Sequence, residues 1–127
     1  MQNGAMAKIE ITDGHLLIRL RVIEKIGTFR RGDLTVPLAL INGVWVTANP
    51  FAEVFSPNFG DMKKGTPTIA VGTSRHDGQR DFHAVYRNQG AVIVETNGAE
   101  FKFTRVIVSS EDPEADATRI RAALAER

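Results

Sequence analysis

At 127 residues the chain has the length of one domain built on a single hydrophobic core. Hydrophobic residues at 43% and charged residues at 24% are ordinary for a soluble globular protein, and the absence of cysteine excludes disulfides, thiolate chemistry and zinc ribbons. Sixteen Lys and Arg against fifteen Asp and Glu leave a formal charge of +1, so nucleic acid or an anionic membrane would have to be drawn in by a local patch.

The amino terminus, MQNGAMAKIEI, lacks a basic segment followed by an apolar one, so no secretory signal is read there. Residues 1–6 are set aside as a disordered or non-native leader, and residues 7–126 are taken as a single domain. KIEIT and HLLIRL flank Asp13-Gly14, a dipeptide that tolerates the positive φ of a type I′ hairpin turn. Ile9, Ile11, Leu16, Ile18 and Leu20 then share one face, with Lys8, Glu10, Thr12, His15 and Arg19 on the other. RVIEKIGTF is read as a helical turn. DLTVP and LINGVWVTA supply one or two further strands, with Pro37 at a strand end and Asn42-Gly43 as either a turn or a bulge. NPFAEVF suggests another helical turn, and FSPNFGDMKKGTPT a loop. No apolar run approaches the ~18 residues of a membrane helix.

Residues 67–109 read as a four-stranded meander, turned at Asp77-Gly78, Asn88-Gln89-Gly90 and Asn97-Gly98. Val92, Val94, Phe101 and Phe103 are expected on one face around the last turn. The period then changes in DPEADATRIRAALAER, where Asp112 suits an N-cap and Pro113 the first helical position. Ala117, Ile120, Ala123 and Leu124 form a narrow apolar stripe for covering a sheet edge or opening.

The densest chemistry lies in RHDGQRDFHAVYR, residues 75–87. A two-residue turn at Asp77-Gly78 sets His76 against Gln79, Arg75 against Arg80 and Gly72 against His83. Phe82, Ala84 and Tyr86 then face the core, and His76, Asp81 and His83 are expected on a solvated outer face. In this register His76 and His83 stand roughly 13 Å apart at ~3.3 Å per residue, too far for one zinc with bonds of ~2.0–2.1 Å. Asp81 and His83 are close enough to hydrogen-bond. Arg75 opposite Arg80 is a like-charge pair that invites an anion or an acidic partner.

Other candidates are weaker. GDMKKGT lacks the lysine that a phosphate loop places before its Ser/Thr, although Lys63 and Lys64 leave a basic surface. Arg30 and Arg31 in FRRG, with Arg19, Arg21 and Lys25 upstream, concentrate positive charge in the first quarter of the chain. The anion- or partner-binding candidates are therefore Arg30, Arg31, Lys63, Lys64, Arg75 and Arg80. No stacking platform for nucleic acid is visible, Trp45 reads as a core anchor, and no serine has a nucleophile context such as G-x-S-x-G. No catalytic residue, metal or cofactor is assigned.

About seven strands and a terminal helix are the order of a pleckstrin-homology-like (PH-like) domain. IEKIG, LTVPL, NPF after a long strand, GTSR with DFHAVY, and VSSEDPEADATRI resemble a group of small, uncharacterised bacterial proteins with this barrel. The resemblance implies a mainly β fold, an antiparallel barrel or sandwich capped by one helix, and carries no catalytic residue set. It implies a non-enzymatic, cytoplasmic interaction module that binds a protein segment or anionic partner through an exposed edge strand or loops. Phosphoinositide headgroups are disfavoured, because Asp13-Gly14 makes the first turn too tight for the usual cradle. The alternatives are a small-molecule binder or small enzyme with a pocket at the open end of the barrel, and self-association through an edge.

Overall fold

The computed structural model describes residues 7–20, 33–51, 69–76, 78–86 and 89–126. The readings on RVIEKIGTF, FRRG, NPFAEVF beyond Phe51 and the loop carrying Lys63 and Lys64 fall outside these residues. Eight strands, a 3-10 turn and one helix are described: β1 (Lys8–Thr12), β2 (His15–Arg19), β3 (Leu34–Pro37), the turn Leu38–Leu40, β4 (Ile41–Thr47), β5 (Ile69–His76), β6 (Gln79–Tyr86), β7 (Ala91–Thr96), β8 (Arg105–Ser109) and α1 (Pro113–Ala125). The protein is mainly β with one C-terminal helix. Its strands form a three-stranded sheet, β1-β2-β3, and a five-stranded sheet, β4-β7-β8-β6-β5. The described strands make a sandwich-like pair of sheets and do not close into a barrel.

The first hairpin forms as its turn chemistry demands. Thr12 pairs with His15 across Asp13 (φ 39°) and Gly14 (φ 79°), the left-handed geometry of a type I′ turn. Ile9, Leu16, Ile18 and Leu20 are buried with Leu34 and Val36 of β3. From the five-stranded sheet Val44, Phe82, Ala84, Val92, Val94, Val106 and Val108 meet them, and Ala117 and Ile120 of α1 complete the same core.

Helix α1 begins at Asp112, whose Oδ1 accepts from the Ala115 N–H at 3.1 Å, with Pro113 opening the first turn. It packs on β4, β7 and β1. Two of its arginines cap the open edges on either side of the sandwich. Arg119 Nη2 donates to the Ile9 carbonyl of β1 at 2.8 Å, and Arg121 Nη2 to the Val44 carbonyl of β4 at 2.9 Å. Covering these edges answers the hazard that unpaired carbonyls present. Among the described residues, no helix is long and apolar enough to cross a membrane.

Three expectations are corrected or resolved. Asn42-Gly43 is a bulge, since β4 shifts register against β7 between Ile41 and Gly43. The four strands are not a meander: β8 lies between β6 and β7, antiparallel to β7 and parallel to β6. Val106, Ile107 and Val108 are all fully buried, and such a continuous apolar run belongs inside a sheet covered on both faces. Asn97-Gly98 does not make the tight hairpin. Asn97 Oδ1 accepts from Ala99 N at 3.1 Å and its backbone carbonyl from Glu100 N at 3.0 Å, so an Asx-type turn opens a wide loop from Asn97 to Thr104. Phe101 and Phe103 pack on the core from this loop rather than from a strand.

Candidate functional site

Strands β5 and β6 form the expected hairpin, with Arg75 opposite Arg80, His76 opposite Gln79 and Gly72 opposite His83. Parity puts Arg75 and Arg80 on the face of Thr73, Phe82 and Ala84, beyond the end of the core. There the core finishes in phenylalanines: Phe82 and Phe103 have ring centroids 5.4 Å apart, and Phe101 and Phe103 6.2 Å apart. Lys102 adds a third cation, its Nζ 5.8 Å from the centre of the Phe103 ring. Thr73, Arg75, Arg80, Lys102 and Phe103 line an open cleft of about 240 Å³.

The backbone ties the cleft together. Thr104 N donates to the Arg80 carbonyl at 2.6 Å, and Arg80 N donates to Thr104 Oγ1 at 3.3 Å. The loop carrying Lys102 is thereby fastened to the strand carrying Arg80. None of the ion pairs among the described residues involves Arg75, Arg80 or Lys102, and all three side chains are exposed. Lys102 escaped sequence reading because the Asn97-Gly98 hairpin placed it on a strand remote from Arg80.

The opposite face of β6 departs from expectation. Asp81 and His83 are 2% and 8% exposed, so the face expected in solvent is buried. β6 is an interior strand, and Ala70, Val85, Ala91, Ile93 and Ile107 form a second apolar cluster on that side, with Phe51 packed against it. The expected Asp81–His83 hydrogen bond is absent. Asp81 Oδ2 instead accepts from Arg105 Nη2 at 2.8 Å and Nε at 3.2 Å. His83 Nδ1 is buried with no hydrogen-bond partner. Burial pushes the His83 imidazole below its ordinary pKa, and the nearby Asp81 carboxylate opposes this less strongly. No group of three or more His, Asp or Glu suited to a metal occurs among the described residues.

Trp45 corrects another expectation. It is 48% exposed on this outer face rather than anchored in the core, because Val44 takes the inward position of β4. Its indole lies over Gly43, where a Cβ would come 2.3 Å from the ring. Trp45, Val46, Thr47, Ile93, Glu95 and Arg105 line a second open cleft, of about 310 Å³.

Of the basic residues expected to bind a partner, the structure brings Arg75 and Arg80 together, while Arg30, Arg31, Lys63 and Lys64 lie outside the described residues. Arg19 is committed to Glu10, Nε to Oε2 at 2.9 Å, so its charge is compensated on the first hairpin. Compared with family models, curated proteins and solved structures, the chain matches none.

Proposed function

We propose that the chain is a non-enzymatic interaction module of PH-like type that takes an acidic segment of a partner protein in the Arg75–Arg80–Lys102 cleft. The observation that carries this reading is the direct cross-strand opposition of Arg75 and Arg80, joined by Lys102, with no ion pair to any of the three among the described residues. Like charges held opposite each other cost roughly 0.2–1 kcal/mol, which a bound carboxylate reverses in sign. Among the described residues, strand β5 lies at the end of its sheet and is hydrogen-bonded on one side, to β6. A segment adding to this edge passes Arg75, so main-chain pairing and charge recognition fall on one surface. The alternative, a small-molecule pocket, has no specific observation in its favour: the clefts of about 240 and 310 Å³ are both open to solvent, whereas small-molecule sites bury most of their ligand.

The test is titration of a fluorescein-labelled peptide containing a run of glutamates, at low and at physiological salt, against wild type and Arg75→Glu/Arg80→Glu. The expected result is salt-sensitive binding that the double variant loses. Equal binding by both proteins removes the proposal. Tighter binding to phosphoinositide vesicles than to the peptide would replace the protein partner with a lipid headgroup.

A further inference from the structure

A second surface, of opposite chemistry, lies on the other face of the five-stranded sheet. Two rows of side chains cross it. One runs Gly43, Glu95, Arg105, Asp81, and the next runs Trp45, Ile93, Ile107, His83. The bulge between Ile41 and Gly43 and the missing Cβ at residue 43 let the indole of Trp45 fold onto the first row, beside Glu95. The six-membered ring is thus set against Gly43, and the tryptophan stays 48% exposed.

Among the described residues of the first row, Glu95, Arg105 and Asp81 sum to one negative formal charge. Arg105 is bound to Asp81, and the side-chain carboxylate of Glu95 makes no hydrogen bond or ion pair with any described residue although it is half-buried opposite Arg105. Burial lowers the pKa of His83, which disfavours a positive charge in the neighbouring row. An exposed indole next to an uncompensated carboxylate attracts a cation, through the ring quadrupole and a charge-assisted hydrogen bond. Among the described residues the cleft offers one aromatic wall, Trp45, and an apolar floor at Ile93. A planar guanidinium stacks on a single wall and directs its N–H groups at a carboxylate, whereas a quaternary ammonium is best held by several rings. Strand addition is blocked here, because Arg121 occupies the Val44 carbonyl on the edge of β4.

We infer that the Trp45–Glu95 cleft is a binding site for an arginine side chain presented by a partner protein. It is independent of the Arg75–Arg80–Lys102 cleft, which lies on the opposite face of the sheet.

Trp45 is the one tryptophan in the chain, so its fluorescence reports the site directly. The probe is the tripeptide acetyl-Gly-Arg-Gly-amide, with the citrulline tripeptide as its neutral isostere. The arginine peptide is expected to change Trp45 emission saturably, and the citrulline peptide and the Glu95→Gln protein to bind about tenfold more weakly. Gly43→Val, whose side chain displaces the indole, is expected to abolish the response while circular dichroism shows the fold retained. Arg75→Glu/Arg80→Glu is expected to respond like wild type. Matching responses to the arginine and citrulline peptides, or an unchanged affinity in Glu95→Gln, overturn the inference. So do tighter binding of tetramethylammonium than of the arginine peptide, or a Trp45-dependent dimer in sedimentation without any peptide.

Discussion

Arg105 on β8 reaches across a parallel strand pair to Asp81 on β6, with both Nη2 and Nε donating to the same carboxylate oxygen, Oδ2. The acid is almost fully enclosed and its side chain is 3% exposed, against 19% for the arginine. The pair joins the two strands whose adjacency distinguishes this sheet from a simple meander. Removing one member of an enclosed pair leaves a charge without compensation, which costs more than the pair itself contributes.

Arg105→Ala should therefore destabilise the fold by about 3 kcal/mol, whereas Asp81→Leu/Arg105→Met should recover most of that loss. Urea denaturation of the two variants beside wild type measures it. A double variant as unstable as the single one would show that the pair contributes specific stabilisation beyond mutual compensation.

His83 makes stability depend on pH with a defined sign. Its folded pKa is depressed by burial, so the unfolded chain takes up the proton first as pH falls. The contribution is fully present above the ordinary histidine value of about 6.5 and is lost progressively below it. Unfolding midpoints measured at neutral pH and near pH 5 should differ more for wild type than for His83→Leu.

The Arg75–Arg80 opposition predicts a stabilising substitution. Arg75→Thr removes the cross-strand repulsion and should raise stability by a few tenths to about 1 kcal/mol at low salt. The gain should shrink as salt is added, because both side chains are exposed and screened. Thermal melts across a salt series test both parts.

The helix cap gives a control that lines neither cleft. Asp112→Ala removes the acceptor for Ala115 N and should cost about 1 kcal/mol. Binding of the arginine and glutamate peptides should be unchanged.

Much of this was legible in local chemistry. Asp13-Gly14 dictates a I′ turn, Asp77-Gly78 sets the Arg75–Arg80 register, and Asp112-Pro113 starts the helix, because each depends on φ preferences and hydrogen bonds within a few residues. The partners of interior strands do not. Asp81, His83 and Val85 alternate with Phe82 and Ala84, and parity alone separates two faces without saying that both are covered. That followed from β8 entering beside β6, a long-range pairing whose one local sign was the unbroken run Val106-Ile107-Val108. Trp45 turned outward for the same kind of reason: Val44 and Val46 alternate with it, and only the sheet against which β4 packs decides which set is enclosed. The sequence by itself thus determined the helix start and the registers of two hairpins, β1–β2 and β5–β6. The tertiary structure decided which charges meet, because Lys102 reaches Arg80, and Arg105 reaches Asp81, only through contacts between segments more than twenty residues apart.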